Sequence, residues 1–462
     1  MVNRRHDEKD MLHGPLFKKI LIFSLPIMAM NLLQLLFNAA DMIVVGRFSG
    51  AEALAAVGAV GSLINLIVNL FMGLSVGTSV IVAQDYGSGD AREVSQSVHT
   101  SIGISVIGGF FVMVLGLAVC KPLLLMMGTP TDVVDLSELY MKIYFIGMPA
   151  NMVYNFGAAI LRAVGDSKHP MYYLIVTGFL NVLLNLLFVI VFDMNVAGVA
   201  WATVISQYLS VVLIGLCLMR SEGPIRLYPS RIFRISGKKL LSIIRIGLPA
   251  GLQNTLFSIS NVLIQSAVNS FGSTMVAASS AASNVEGFVG TTMNAYYNAA
   301  VTFAGQNMGG KRYKRLKKIA GVCTILIFIT WIVLSGALVL FGPELLSLYT
   351  TDPAVVELGM VRMRVMMVVY FTCGFMNVYP GLTRGMGWSI LPMVCTLVGA
   401  CLLRIVWLQT VFVWYRSEAV LFASYPVTWG ISGAAQVVSF FWAHSRVKKR
   451  AIAEGTWEGS DD

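Results

Sequence analysis

Residues 161–171 read LRAVGDSKHPM, and residues 383–393, 222 positions later, read TRGMGWSILPM. Roughly one identity would arise by chance in eleven positions at average residue usage. Five positions are identical, namely Arg162, Gly165, Ser167, Pro170 and Met171 in the first stretch and Arg384, Gly387, Ser389, Pro392 and Met393 in the second. The chain is therefore a tandem duplication of a unit of about 220 residues.

The same spacing, within one residue, relates positions along most of the two halves. The further pairs are Pro26 with Pro249, Asn31 with Asn254, Phe48 with Phe271, Gln84 with Gln306, Gly87 with Gly309, and Asn155 with Asn377. In membrane proteins, a doubled helical bundle with a cleft between its halves is a common basis for alternating access. The repeat therefore already favours a transporter.

The composition indicates a membrane protein, because 56% of the residues are hydrophobic and only 12% are charged. Twelve apolar stretches are long enough to cross a bilayer as helices, six in each half. They lie near 17–46, 53–83, 96–120, 136–158, 170–192, 196–219, 240–269, 277–305, 317–341, 355–381, 390–415 and 418–444. We predict an all-α integral membrane protein with twelve transmembrane helices in two pseudo-symmetric six-helix bundles.

Six helices in each unit make the repeat parallel, because both units then enter the membrane in the same direction. The predicted domains are an N-terminal lobe at 1–219, a cytoplasmic linker at 220–239 and a C-terminal lobe with a short cytoplasmic tail at 240–462. The linker is identified by two prolines, two glycines and clustered charge.

The basic residues predict that both termini are cytoplasmic in a multi-pass protein of the plasma membrane. With this orientation, 26 of the 33 Lys and Arg residues lie on the inner side, and only Arg47, Lys121 and Arg416 lie in outer loops. The net charge of +10 then reflects topology and contact with anionic lipid of the inner leaflet. We expect membrane lipid as a partner and no nucleic acid.

Three helices of the first half are predicted to place oxygen ligands at one level of the membrane. Asp41 lies about six residues, or roughly 9 Å, from the outer end of the first helix. Asn181 and Asn185 share one face of the fifth helix, and Thr203 lies on the sixth. Asn185 and Thr203 are each roughly 12 Å deep in the membrane. A carboxylate with amide and hydroxyl oxygens suits Na⁺, whereas a solitary buried Asp suits a proton. The alternatives are that Asp41 pairs with Arg47, and that the other three only join helices.

The predicted substrate cavity contains polar, sulfur-containing and aromatic side chains. Glu286, the acidic residue inside the helices of the second half, either binds a cationic substrate or pairs with Arg404. Soft and aromatic side chains suit lipophilic cations, although ordinary packing or lipid contact is the better explanation for any single one of them. The cavity residues are Gln34, Asn155, Asn254, Glu286, Met293, Tyr296 and Met376.

Several motifs, in order, resemble the multidrug and toxic compound extrusion (MATE) family. They are NAADMIVVGRFSGAEALAAVG at 38–58, AQDYGSGDA at 83–91, LRAVGDSKHP at 161–170, LNVLLNLLFVIVFDMNVAGVAWATVISQ at 180–207 and AGQNMGGKR at 304–312. The resemblance covers nearly the whole chain. It implies two six-helix lobes around a V-shaped cavity, and an antiporter that exports organic cations or drugs in exchange for H⁺ or Na⁺.

The resemblance assigns the coupling ion to the first lobe. Asp41 matches the family's first-lobe aspartate, Asn181 and Asn185 its fifth-helix polar pair, and Thr203 its sixth-helix threonine. Some members carry Asp at the position of Asn185, so both ions remain open here. We expect a monomer with no cofactor beyond the coupling ion.

Two other functions are compatible with a polytopic membrane chain. A lipid-linked oligosaccharide flippase of the same superfamily would need several Arg or Lys residues facing the cavity, and the sequence offers mainly Arg404. A membrane-embedded enzyme or receptor would belong to another class. The sequence has no HExxH or P-loop motif, and we predict no enzymatic activity.

Overall fold

The computed structural model describes residues 10–126 and 133–457, and these ranges are helical without a β-strand. The outermost residues of the predicted lobes, 1–9 and 458–462, lie outside the described residues. In chain order the α-helices are α1 (Leu16–Val44), α2 (Gly50–Ser88), α3 (Ala91–Met126), α4 (Val134–Ile146), α5 (Met148–Ala163), α6 (Lys168–Leu186), α7 (Asn195–Arg220), α8 (Gly237–Asn269), α9 (Ser273–Gly309), α10 (Arg315–Thr330), α11 (Gly336–Leu340), α12 (Gly342–Ser347), α13 (Pro353–Met367), α14 (Phe371–Gly385), α15 (Ile390–Thr396), α16 (Leu403–Gln409), α17 (Val411–Trp414) and α18 (Glu418–Ala453).

These helices follow one another as twelve rods, in agreement with the predicted all-α architecture. Four rods contain a π-helical turn, at Val45–Ser49, Leu187–Val191, Trp331–Ser335 and Leu397–Leu402. By length and composition, eight rods within the described ranges could cross a membrane. The fourth and tenth rods miss that criterion because each is broken into two shorter helices, α4 with α5 and α13 with α14. The eighth and twelfth, α9 and α18, are long but rich in Ser, Thr, Gly and Ala.

The chain forms two compact units. Unit 1 comprises Met1–Met28 with Leu252–Asp462, and unit 2 comprises Ala29–Gly251. Both boundaries lie two residues after a proline inside a helix, Pro26 in α1 and Pro249 in α8. Proline removes one backbone hydrogen bond and bends a helix. The repeat-related prolines therefore mark where the chain passes from one unit to the other, and the predicted lobe boundaries remain a description of the sequence repeat.

Small residues let the helices of unit 2 approach closely. A Cβ at Gly73 or Gly77 would overlap the backbone of α8 at Gly251 or Ile243. A Cβ at Gly109 would likewise overlap Pro149 at the start of α5. Such contacts between backbones supply much of the packing energy of helices in lipid.

The stretch between the two sequence repeats is held against unit 2 by polar contacts. Lys239 Nζ is 2.6 Å from Asp85 Oδ2 and 2.7 Å from Glu93 Oε2, and its side chain is buried. The backbone N–H of Tyr228 donates to His99 Nε2 at 3.0 Å. The predicted linker is thus an ordered segment, and the buried ammonium of Lys239 forms ion pairs with the carboxylates of Asp85 and Glu93.

In unit 1, polar contacts hold the segment at Met11 and Gly14 in a similar way, but the acceptors are neutral backbone carbonyls. Asn307 Nδ2 donates to the Met11 carbonyl at 3.1 Å, and Arg315 donates to the Gly14 carbonyl at 3.2 Å. Asn307 is the repeat counterpart of Asp85, and Arg315 that of Glu93, by the same spacing of 222 residues. Equivalent positions of the two repeats therefore hold a neighbouring segment, through an ion pair in unit 2 and through hydrogen bonds to backbone carbonyls in unit 1.

Candidate functional site

A continuous series of hydrogen bonds joins the four residues predicted for the coupling ion. Asn185 Nδ2 donates to Asp41 Oδ1 at 2.5 Å and to Asn181 Oδ1 at 3.3 Å. Asn181 Nδ2 donates to Thr203 Oγ1 at 3.4 Å, and the Thr203 hydroxyl donates to the Val199 carbonyl at 3.0 Å. The structure therefore brings together side chains from α1, α6 and α7. We call these four residues the Asp41 site.

Helical spacing and one glycine account for this geometry. Asn181 and Asn185 are one turn apart on α6, so their amides face the same neighbours. A Cβ at Gly178, the preceding turn, would overlap the ring of Phe37 on α1. Glycine at this position lets α1 lie against α6, and Asp41 follows Phe37 by one turn.

The Asp41 site contains a buried oxygen with no donor. Asn185 is fully buried and Asn181 is 7% exposed. Among the residues that the structure describes, no group donates to Asn185 Oδ1. Buried polar atoms are nearly always satisfied, so such an atom calls for an explanation such as an ion or a proton. The acceptors around it are carboxylate, amide and hydroxyl oxygens, the hard ligands that an alkali cation prefers.

Among the residues that the structure describes, the hydrogen bond to Asp41 comes from the neutral Asn185 amide. Within the described ranges, no ion pair joins Asp41 to Arg47, so this alternative interpretation finds no support in the structure. Tyr140 of α4 packs against Val44 and Val45, which follow Asp41 by about one turn. The sequence analysis did not single out Tyr140, because one Tyr in an apolar helix carries no distinguishing signal.

Two π-helical turns and an apolar cluster lie next to the Asp41 site. The turns Val45–Ser49 and Leu187–Val191 begin within a few residues of Asp41 and Asn185 and contact each other. Val44, Val45 and Val189 belong to a buried cluster against which Tyr140 packs. Single π-helical turns often mark functional positions in α-helices. They have no sequence signature, so the sequence could not have located them.

Glu286 of α9 forms a buried ion pair in unit 1. Arg362 of α13 donates through Nε to Oε1 at 3.0 Å and through a terminal nitrogen to Oε2 at 2.8 Å. The other terminal nitrogen donates to Ser279 Oγ at 2.6 Å. Glu286 and Arg362 are 6% and 7% exposed. The carboxylate is thus held by a two-point contact to a guanidinium, the strongest common geometry for this pair.

Arg404 is not the partner of Glu286, contrary to one of the two sequence-based expectations. Its side chain is fully buried, and it donates to Asn261 Oδ1 at 3.0 Å and to Ser260 Oγ at 3.3 Å. Its guanidinium also lies over the Tyr425 ring, 4.5 Å from the ring centroid. Neutral oxygens and an aromatic face therefore surround this cation.

The residues predicted for the substrate cavity lie in three environments. Gln34 and Asn254 are exposed, and Asn155 is half-buried and donates to the Asn151 carbonyl of its own helix at 2.8 Å. Four others are buried within unit 1: Glu286, Met293, Tyr296 and Met376. Tyr296 shares a hydrogen bond of 2.9 Å with Thr330. The part that these residues take in a substrate cavity remains a prediction.

Comparison with known proteins identifies the family. The MatE family model matches twice, over residues 26–187 and 249–408, once in each sequence repeat. The chain is 29% identical over 403 residues to the probable multidrug resistance protein YpnP of Bacillus subtilis, covering 86% of this chain and 88% of that protein. It is 28% identical over 387 residues to the probable multidrug resistance protein YoeA of the same organism, covering 82% and 84%.

Solved structures show the same fold. A crystal structure of a MATE protein in complex with MaL6 superposes with a TM-score of 0.87, covering 96% of this chain and 98% of that one at 24% identity. The family model covers well over half of the chain, and its two matches follow the duplication seen in the sequence. The protein therefore belongs to the MatE family of multi-pass membrane transporters and is not an enzyme.

Proposed function

We propose that this protein is a multidrug efflux antiporter, which exports lipophilic or cationic organic compounds in exchange for H⁺ or Na⁺. Family membership supports transport, and relatives named multidrug resistance proteins support the class of substrate. The observation that carries the ion-coupling step is the Asp41 site, where a carboxylate is bonded to a buried amide whose own oxygen has no donor in the described part of the chain.

The Asp41 site can accept either coupling ion by the same local change. A proton on Asp41 turns the carboxyl group into a donor, for which Asn185 Oδ1 is an available acceptor. A sodium ion would take oxygens from Asp41, Asn181, Asn185 and Thr203, and it would likewise displace the present hydrogen bond from Asn185 to Asp41. Either event changes how α1 and α6 are joined. We propose that this repacking lowers the affinity for substrate and so exchanges ion for cargo.

The membrane potential supplies part of the driving force. A single charge moving across the membrane contributes about 2.3 kcal/mol per 100 mV. A difference of about 1.4 kcal/mol corresponds to a tenfold change in an equilibrium constant, so one ion can sustain more than tenfold accumulation.

We further propose a monomer in the plasma membrane with both termini in the cytoplasm. Small organic cations or drugs and membrane lipid are its partners, and it needs no nucleic acid. The excess of Lys and Arg in the segments assigned to the inner side supports this orientation.

Transport in vesicles of known orientation tests the coupling step. Dye uptake into inverted vesicles would be driven in turn by a pH gradient and by a Na⁺ gradient. An Asn side chain neither takes up a proton nor gives Na⁺ a negatively charged ligand. We therefore expect Asp41→Asn to reduce gradient-driven uptake at least about tenfold, which corresponds to a loss of about 1.4 kcal/mol. Dye binding to the purified variant should persist, because the fold does not depend on an ion pair at this residue.

Asp193→Asn provides the matched control. Asp193 is an exposed residue beyond the π-helical turn that follows α6, and it has a positive φ of 52°, which Asn also tolerates. This variant should transport like the wild type. If Asp41→Asn keeps the full response to both gradients, the assignment of coupling to Asp41 is wrong.

A further inference from the structure

The repeat-related loops that follow α2 and α9 have opposite charge. Residues 84–96 contain three acidic residues and one basic residue, whereas the counterpart 306–318 contains six basic residues and no acidic one. Cytoplasmic loops of membrane proteins are enriched in Lys and Arg, which explains why the loop at 306–318 is positively charged. This enrichment does not explain why only one of the two duplicated loops is basic. The basic charge of the loop at 306–318 therefore calls for a further explanation.

The inner end of α18 adds more basic residues at the same place. Arg446, Lys448, Lys449 and Arg450 lie in its last turns, and Arg450 is bonded to Glu454 at 2.7 Å. Lys448 Nζ lies 5.4 Å and Lys314 Nζ 5.9 Å from the centroid of the Trp457 ring. Basic side chains from α18 and from the loop before α10 therefore converge on one aromatic ring. Met11 accepts from Asn307 and Trp457 lies near Lys314, so segments close to both ends of the described residues contact this region.

Exposed tryptophans flank these cations. Trp442 and Trp388 are 41% and 38% exposed, and their rings meet edge to face with centroids 5.0 Å apart. Arg446 lies over the Trp442 ring at 5.2 Å. Tryptophan is enriched where the hydrocarbon core of a bilayer meets the headgroups, and arginine beside it lies at the level of lipid phosphate. The rings thus mark the depth at which the cations meet the membrane.

We propose that this surface binds the phosphate of an anionic phospholipid. We call it the basic–aromatic patch and define it by Trp388, Trp442, Arg446, Lys317, Lys448 and Lys449. Lys449 follows Arg446 by about one turn of α18, and Lys317 follows Lys314 by about one turn at the start of α10; both are exposed. Clusters of four to eight Lys or Arg next to a transmembrane helix are typical of anionic-lipid binding. The exposed tryptophans favour a lipid over a soluble phosphate, because they give the glycerol and acyl carbons an apolar surface. The counterpart surface of unit 2 cannot do this, since its loop is acidic and its Asp85 and Glu93 hold Lys239.

Lipid retention by the full-length protein tests the proposal. The probe is phosphatidylglycerol, mixed with phosphatidylcholine, and the amount bound after purification would be measured by native mass spectrometry. Each cation near an anionic membrane contributes about a fivefold gain in binding. The variant Lys317→Gln/Lys448→Gln/Lys449→Gln should therefore lose retained phosphatidylglycerol at least about tenfold, and the matching Lys→Arg variant should keep it.

The other repeat offers a control with the same change in charge. Arg92, Arg220 and Lys238 are exposed basic residues of unit 2, and Arg92→Gln/Arg220→Gln/Lys238→Gln should retain phosphatidylglycerol like the wild type. If both triple Gln variants lose phosphatidylglycerol equally, net charge alone accounts for the binding, and the proposal is wrong. If glycerol phosphate is retained to the same extent as phosphatidylglycerol in this measurement, the assignment to a lipid is wrong. Neither outcome depends on transport, so the proposed function is tested separately.

Discussion

The two sequence repeats each contain a carboxylate inside the membrane-spanning helices, and the two are held in opposite ways. In unit 2, Asp41 is bonded to the Asn185 amide, and the neighbouring amide and hydroxyl are also neutral. In unit 1, Glu286 is held at two points by the Arg362 guanidinium. A carboxylate surrounded by dipoles can exchange a cation, whereas one that already has its cation is neutralised in place. Under the function proposed above, this difference favours ion exchange at Asp41 and a structural role for the pair of Glu286 and Arg362.

The buried ion pair gives the largest expected effect. Arg362→Met would leave Glu286 charged and without its guanidinium, and breaking a buried pair from one side costs about 3–5 kcal/mol. We expect this variant to unfold at markedly lower temperature in detergent. Neutralising both sides with Glu286→Gln/Arg362→Met should restore most of the loss, because no uncompensated charge remains. A double variant as unstable as the single one would show that the pair is not a self-contained structural element.

Removing the amide at the Asp41 site should give a smaller, functional effect. Asn185→Leu deletes the donor to Asp41 and the unpartnered oxygen together. That oxygen would be a ligand of Na⁺, and a polar contact to a charged group is worth about 1.5–3 kcal/mol, so the apparent affinity for Na⁺ should fall by roughly ten- to one-hundredfold. The apparent affinity for H⁺ should instead rise, because the donor that stabilises the charged form of Asp41 is lost. The measurement is the ion concentration that gives half-maximal dye transport.

Asn298→Leu is the control for that measurement. Asn298 is a half-buried residue of α9 that donates to the Asn294 carbonyl of its own helix at 2.9 Å. Its replacement should leave the ion dependence unchanged. An ion affinity that falls equally in both variants would remove the special role of Asn185.

The weakest link of the Asp41 site should give the smallest effect. Thr203 accepts from Asn181 at 3.4 Å, a long hydrogen bond, and its own hydroxyl donates to a backbone carbonyl. Thr203→Val keeps the shape and removes these contacts. We expect a loss of about 0.5–1.5 kcal/mol, or roughly a two- to tenfold weaker ion affinity in the same assay. A loss larger than that of Asn185→Leu would reverse the order of importance within the site.

The sequence was informative where the physics is local or where a rare residue stands out. The spacing of Asn181 and Asn185 requires only the period of an α-helix, and an Asp in an apolar helix is conspicuous because it is costly there. The duplication, read from LRAVGDSKHPM and TRGMGWSILPM, reappears as two matches to one family model. These features need no knowledge of how distant helices are arranged.

The sequence was silent where the answer depends on the rotation of a helix or on a subtle backbone irregularity. The sequence suggested Arg404 as a partner of Glu286, and the packing of α9 against α13 places Arg362 there instead. The break between α4 and α5 falls at Gly147, within what we predicted as one continuous stretch at 136–158. The π-helical turns beside Asp41 and Asn185 are equally invisible, because each inserts a residue without changing the apolar pattern.

Binding of the coupling ion to purified protein tests the central claim most directly. Uptake of radioactive sodium, and release of protons into a weakly buffered solution on adding substrate, would be measured for Asp41→Asn and for Glu286→Gln/Arg362→Met. The account predicts that the double variant exchanges ions like the wild type, while Asp41→Asn exchanges neither ion. Ion exchange that persists in Asp41→Asn and disappears in the double variant would contradict it.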